Sequence, residues 1–247
     1  MKVFDQFLEV ISKKGSAYAV LIDPDLKNNE NIESNVKLVN ESEVDVLFVG
    51  GSLIMDSKLI ERIDLIKKYA RIPVVFFPGS ASQLNSSYDA ILFMSLISGR
   101  NPHYLIGEQV IAAPVIKDLG IETIPTGYII LESGNRTTVE FMSGTKPIPR
   151  QRPDITIAHA LAGQYLGMKL IYLEAGSGAK IPVEIETINQ VSKAIDIPLV
   201  VGGGIKNPED AAERAKAGAS IIVTGTCTEE DPAIMRKIAD AVHWRNN

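Results

Sequence analysis

Three short segments in the last third of the chain carry its densest chemical signal: Glu174-Ala175-Gly176-Ser177-Gly178, Gly202-Gly203-Gly204-Ile205 and Thr224-Gly225-Thr226. Each one closes or directly follows an apolar run. Glycine lets backbone N–H groups come close to an anion, and helix N-termini add a favourable dipole. One glycine-rich turn would mark only a place where the chain needs positive φ. Three in succession read as a phosphate corner. Neither a GxGxxG fingerprint nor a GxxxxGK[ST] loop is present, which argues against a dinucleotide or a nucleoside triphosphate.

Carboxylates supply the other chemistry. The first apolar run leads into Asp23-Pro24-Asp25, and the second into Gly50-Gly51-Ser52. Asp23 is placed to hold a hard cation, with the Ser52 hydroxyl as a second oxygen ligand. Magnesium suits such a pair because it keeps waters and bridges substrate phosphates. An Asx-turn or a helix cap is the competing reading of the same residues. Glu174, two residues after Tyr172, is a candidate general base, with Tyr172 orienting a hydroxyl. The plainer alternative packs Tyr172 in the core and lets Glu174 cap the following turn. Of the histidines, His103 faces the mouth side at the start of a helix, His159 reads as structural and His243 as surface. Trp244 reads as C-terminal packing.

These residues need a scaffold, and the apolar pattern describes one. Runs recur at 17–22, 44–49, 72–77, 88–97, 122–131, 169–173, 197–201 and 220–224. They are continuous rather than alternating, as strands covered on both faces should be. Helix signals lie between them: Asn101-Pro102, Asn207-Pro208 and Asp231-Pro232 pair a cap with a first-turn proline. Residues 30–40, 56–69 and 152–167 read as helices, and 2–13 as an extra helix before the first strand. Pro114 is expected to kink or end the helix that starts near 102. Pro182 is expected to open a helix whose buried stripe is Ile185, Ile188, Val191 and Ile195.

Eight strands alternating with helices in 247 residues predict one α/β domain over 1–247, a (β/α)8 TIM barrel, rather than an open doubly wound sheet. The barrel is a modified one. Only residues 80–87 separate the third and fourth runs, and a parallel crossover normally takes a dozen or more. The third helix is therefore missing or replaced by a loop. Residues 132–150 form the opposite excess, a long polar connection.

Composition narrows the function classes. The chain is 45% hydrophobic and 22% charged, with a net charge of −5, which disfavours a nucleic-acid binder. Cys227 is the single cysteine, so neither an internal disulfide nor a zinc cluster is available. Asp5 and Glu9 interrupt the first apolar stretch, which is wrong for a signal peptide, and no apolar run reaches membrane-spanning length. A cytoplasmic protein is expected.

Taken together, the motifs resemble the geranylgeranylglyceryl phosphate synthase family, prenyltransferases on a modified TIM barrel that begin archaeal-type ether lipids. The matching stretches are IDPD (22–25), FVGGS (48–52), FFPGS (76–80), SGRNPHYLIGEQV (98–110), IPTGYIILE (124–132), YLEAGSG (172–178), VGGGI (201–205) and VTGT (223–226). The resemblance implies transfer of a polyprenyl group, geranylgeranyl by the closer branch, from its diphosphate to the 3-hydroxyl of sn-glycerol 1-phosphate. It implies that Tyr172, Leu173, Glu174, Ala175, Gly176, Ser177, Gly178, Gly203, Gly204, Gly225 and Thr226 contact glycerol phosphate. By the same resemblance Glu174 takes the hydroxyl proton, Asp23 and Ser52 hold Mg2+, and the protein is a homo-oligomer, dimer or hexamer. The chain departs from many members at Leu21, where they carry Lys; Lys27 is the nearby positive charge.

A long prenyl chain needs an apolar groove. The missing third helix opens one flank of the barrel. Tyr104, Leu105 and Ile106 are expected beside that flank, with Phe77 and Phe93 to Ser95 lining its upper part and Tyr104 near its far end. The alternative makes Tyr104 an ordinary core or subunit-contact residue. Three rival functions remain at this stage: another phosphate-binding barrel isomerase using Asp23 and Glu174, a heptaprenylglyceryl phosphate synthase, and a phosphate sensor without catalysis.

Overall fold

The computed structural model describes residues 1–25, 31–51 and 53–245. Eight parallel strands close a barrel in sequential order, which excludes the open sheet. They are β1 Ala17–Ile22, β2 Val46–Val49, β3 Val74–Phe76, β4 Ala90–Leu96, β5 Glu122–Ile130, β6 Leu170–Glu174, β7 Leu199–Gly202 and β8 Ile221–Thr224. The helices are α1 Val3–Lys14, α2 Ile32–Glu41, α3 Leu59–Tyr69, α4 Glu108–Leu119, α5 Thr138–Ser143, α6 Pro153–Tyr165, α7 Ile185–Ala194, α8 Pro208–Lys216, α9 Thr226–Glu230 and α10 Ile234–Val242.

Strand alternation builds two cores. Ala17, Ala19, Phe48, Val75, Leu92, Tyr128, Tyr172, Val200 and Val223 fill the barrel interior. Their neighbours in sequence, such as Tyr18, Val20, Leu47, Ile129, Leu173 and Val201, face the helices. Burial on both sides is why the strands read as unbroken apolar runs. The expected N-terminal helix, α1, closes the lower end. Its Phe7 ring meets Phe48 edge-on at 6.5 Å between centroids. The Glu122 carboxylate, at the start of β5, accepts the Val3 and Phe4 amides at 2.6 and 3.2 Å.

The third connection is short, as expected: a single 3₁₀ turn, Ala81–Gln83, replaces a helix. β3 pairs with β4 at Ala90 and Ile91 alone. The long fifth connection hides a short helix, α5, that the sequence reading missed. Its Thr137 side chain accepts the Glu140 amide at 3.4 Å, and Gly144 ends it with φ 61°. The spacing Thr137 to Glu140 is a capping-box signal that could have revealed it.

Three local expectations are corrected. Pro114, expected to kink or end its helix, does not end it: α4 continues past it to Leu119. Pro114 and Val110, whose carbonyl loses its partner, sit on the exposed face, where water replaces the bond. The helix after Pro182 begins at Ile185, and Ile185 is exposed while Ile188, Val191 and Ile195 are buried. His243 is not a surface residue: it is 4% exposed, and its Nε2 lies 2.7 Å from Asp45 Oδ2. Asp45 also accepts the Tyr18 amide at 2.8 Å and Lys14 Nζ at 2.7 Å, so one carboxylate joins α1, β1 and the C-terminal segment. Trp244 packs against Gly15, as C-terminal packing requires.

Candidate active site

The C-terminal strand ends open into a mouth of about 720 Å³. Gly176, Gly178, Gly203 and Gly204 line it with φ values of 99°, 67°, 81° and 74°, a region that other residues enter only with strain. The approach is close: a Cβ on Gly203 would stand 2.5 Å from the Gly176 nitrogen and 2.6 Å from Glu174 Oε1. Ser177 Oγ and Thr226 Oγ1 lie 3.3 Å apart and join the loops after β6 and β8. Gly225 completes the rim.

Glu174 stands at the end of β6, 6% exposed. Its Oε1 accepts the Gly176 amide at 2.5 Å, and its Oε2 accepts the Tyr128 hydroxyl at 2.9 Å. Burial raises its carboxyl above the usual glutamate range, although the hydrogen bonds from Gly176, Tyr128 and Tyr172 oppose that shift. A raised carboxyl is the property a general base needs. Tyr172 shares this surroundings, its ring 5.2 Å from that of Tyr128 and 5.7 Å from that of Phe77. Burial first, then the Glu174 charge, hold both phenols well above their ordinary value, so they stay protonated donors.

The acidic end also faces the mouth. Asp23 and Asp25 both line it, with the Asp23 carboxylate against Gly51. Asp25 Oδ1 is buried with no hydrogen-bond partner among the described residues. Hard carboxylate oxygens, one of them without a donor, fit magnesium. Ser52 and Lys27 lie outside the described residues. Leu21 lines the mouth, and Lys206, not anticipated from sequence, is the one cationic side chain doing so among the described residues.

Two residues of the expected set turn their side chains outward. Leu173 and Ala175 are buried in the outer layer against the helices, so their side chains do not line the mouth. Strand alternation decides this, since Tyr172 and Glu174 take the inner face. Tyr128 and Lys206 are the neighbours that sequence reasoning missed. Tyr128 lies in IPTGYIILE, one of the stretches that carried the resemblance, but its link to Glu174 spans 46 residues.

A second cleft, about 640 Å³, runs along the flank that lacks a helix. Phe76, Phe77, Leu84, Phe93 and Met94 line it, and Tyr104 with them. Ser95, Leu105 and Ile106 do not; Ser95 turns its hydroxyl to the Leu105 carbonyl, and Ile106 is 59% exposed. The Tyr104 hydroxyl donates to the Met142 carbonyl at 3.1 Å, bridging to α5. Gly51, Leu53, Phe77, Tyr128 and Val139 line both spaces, so mouth and cleft share a wall at Glu174's partner. His103 lines the cleft and pairs with Glu108 at 2.8 Å, whereas His159 is structural, its Nδ1 2.7 Å from the Ile155 carbonyl.

Fold and site together define a (β/α)8 barrel with a glycine-lined mouth beside an apolar cleft. The family model of the PcrB family matches residues 9–242. The geranylgeranylglyceryl phosphate synthase of Chitinophaga pinensis is 43% identical over 242 residues, covering 98% of this chain and 96% of that one. That of Spirosoma linguale is 46% identical over 230 residues, 93% and 92% of the two chains. Among solved structures, (S)-3-O-geranylgeranylglyceryl phosphate synthase from Thermoplasma acidophilum, in complex with its substrate sn-glycerol-1-phosphate, superposes with a TM-score of 0.91. It is 34% identical and covers 99% of each chain. The chain belongs to the PcrB family.

Proposed function

We propose that this protein is a prenyltransferase that joins a geranylgeranyl group to the 3-hydroxyl of sn-glycerol 1-phosphate. The observation that carries the reading is the position of Glu174. Its carboxylate sits in the glycine-lined mouth, and its partner Tyr128 forms part of the wall of the apolar cleft. A phosphorylated acceptor in the mouth and an apolar donor in the cleft would meet at that wall. Bringing two reactants together in this way removes most of the entropic cost of their encounter.

The glycine amides and the Ser177 and Thr226 hydroxyls bind the acceptor phosphate. Glu174 accepts the hydroxyl proton while the acceptor oxygen bonds to the allylic carbon and the carbon–diphosphate bond breaks. The phenols of Tyr128 and Tyr172, kept protonated by burial, orient the carboxylate. Asp23, with Asp25 beside it and with Ser52 as the resemblance implies, would hold Mg2+. Magnesium, when bound, neutralises charge on a leaving diphosphate. Lys206 adds a positive charge at the same rim. The cleft buries the prenyl tail at about 0.8 kcal/mol per CH2. The names of the relatives favour the twenty-carbon donor over the heptaprenyl alternative. The exposed outer residues Ile106, Val110, Ile111 and Val115 support a homo-oligomer. Among the described residues no helix is long and apolar enough to cross a membrane.

The test is incubation with sn-glycerol 1-phosphate, magnesium and prenyl diphosphates of several lengths, with products identified by mass. Ether-linked geranylgeranylglyceryl phosphate is expected. Isomerisation of a sugar phosphate without prenyl transfer would replace this reading.

A further inference from the structure

The apolar cleft follows the one part of the barrel where strand pairing runs short. β3 pairs with β4 at Ala90 and Ile91, so among the described residues β4 from Leu92 to Leu96 has no strand paired to it on that side. A prenyl chain cannot hydrogen-bond a carbonyl, and a bare carbonyl against it would lose its hydration without replacement. Gln109, 8% exposed and lining the cleft, covers this gap: its Nε2 donates to the Met94 carbonyl.

The same amide group does a second thing. Its Nε2 also donates to the Tyr104 carbonyl at 3.2 Å, while Ser95 Oγ donates to the Leu105 carbonyl at 2.6 Å. Tyr104 and Leu105 belong to a π turn, His103–Gly107, that opens directly into α4. Such a turn holds one residue more than an α turn, so its loss would rotate the residues before it by about 100° relative to α4. Tyr104 would then leave the cleft. Gln109 Oε1, meanwhile, is buried with no hydrogen-bond partner among the described residues. Methionine would fill the same volume without that cost, so packing alone does not explain a glutamine here.

We propose that Gln109 is a positioning residue for donor length: it holds the π turn that sets Tyr104 across the cleft. This rests on the reading that the cleft receives the prenyl donor. Gln109 touches no reacting atom in this scheme; it acts through Tyr104. The link from Glu108 to the Ala81 amide at 2.9 Å is independent of Gln109 and keeps α4 against the third connection.

The experiment measures kcat and KM for fifteen-, twenty-, twenty-five- and thirty-five-carbon prenyl diphosphates. It compares wild type, Gln109→Met, Tyr104→Ala and the double variant. Gln109→Met is expected to raise kcat/KM for the twenty-five-carbon donor relative to the twenty-carbon donor by about tenfold, the scale of a single methylene in an apolar pocket. The KM for glycerol phosphate stays at the wild-type value. The double variant shows the donor profile of Tyr104→Ala alone. A folded Gln109→Met protein with the wild-type donor ratio overturns the proposal, and so does a double variant whose effects multiply. If Gln109→Met does not fold, Ser95→Ala removes the other hold on the same turn and is expected to shift the ratio in the same direction; an unchanged ratio overturns the proposal. Wild-type protein that forms no ether product with any donor refutes the prenyl-transfer reading itself, and this inference falls with it. Product formation with unmoved donor ratios refutes Gln109 alone.

Discussion

Replacing Glu174 by glutamine removes a charge and a base while leaving the shape of the site in place. The Gln oxygen can still accept the Gly176 amide, which lies 2.5 Å from Oε1, and its amide can donate to the Tyr128 oxygen, 2.9 Å from Oε2. Glycerol phosphate binding is therefore expected to change little. Turnover is expected to fall by about 100-fold or more, the usual contribution of a general base. That corresponds to about 3–5 kcal/mol on the barrier. Stability should move the other way. Burial raises the folded-state pKa of Glu174 above its unfolded value, so the folded protein binds this proton more tightly. Wild-type stability then declines as pH rises from the unfolded value, about 4.3, through the raised folded value. The glutamine variant has no such decline, so its Tm advantage grows across that window and is constant above it. Calorimetry from about pH 4 upward measures this against the usual glutamate value. In wild type, the acid limb of kcat/KM lies above the usual glutamate range, because the base form is lost on protonation. Near-wild-type turnover in Glu174→Gln would refute the base role, and equal Tm at every pH would refute the buried charge.

Asp23→Asn is expected to raise the magnesium needed for half-maximal rate without unfolding the barrel; an unchanged metal dependence assigns Asp23 to the turn instead. Gly203→Val forces a branched residue to φ 81°, at a cost of about 1–3 kcal/mol, and drives Cβ to within 2.6 Å of Glu174. Glycerol phosphate affinity should collapse in titration calorimetry while prenyl diphosphate binding survives, and equal loss of both would indicate misfolding. Tyr104→Ala should admit donors longer than twenty carbons and leave the twenty-carbon rate near wild type; an unaltered length profile refutes Tyr104 as the length stop. Asp45→Ala should destabilise the fold by about 3–5 kcal/mol in urea, as loss of one member of a buried pair does. Burial pushes the Asp45 carboxyl up, but hydrogen bonds from His243, Lys14 and the Tyr18 amide outweigh it and hold the group below the usual range. Its contribution is thus present above the unfolded value, about 3.9, and is lost as pH falls through the depressed folded value. A Tm difference between Asp45→Ala and wild type that persists undiminished in acid would contradict this account.

The barrel was legible because its signals are local. Strands buried on both faces leave unbroken apolar runs, and the eight-residue gap at 80–87 states by length alone that no third helix fits. The glycine-bearing strand ends were legible for the same reason: they follow directly from where each run stops. Glu174 and Tyr172 could be placed at the mouth from the end of their own strand. Whether Leu173 shared their face could not, because a one-residue shift in where the strand is read turns every side chain over. The helix α5 was masked by a polar context, although its cap lies three residues from Glu140.

What tertiary structure alone decided are the contacts between residues far apart in the chain. Nothing near Glu174 announces Tyr128, which reaches it only because β5 and β6 are neighbours with Tyr128 beside Tyr172 in register. His243 looked like a surface residue on a C-terminal helix. It is buried because barrel closure brings α10 onto β1 and within reach of Asp45, 198 residues away. Gln109 lies in the stretch SGRNPHYLIGEQV, but nothing local to it shows what it holds; the role proposed for it depends on a π turn and on the open side of β4. Composition and periodicity record which residues avoid water and how often. Only the closed ring of strands determines which of the hidden polar groups meet, and it is those meetings that set the surroundings of the Glu174 carboxylate and the shape of the cleft beside it.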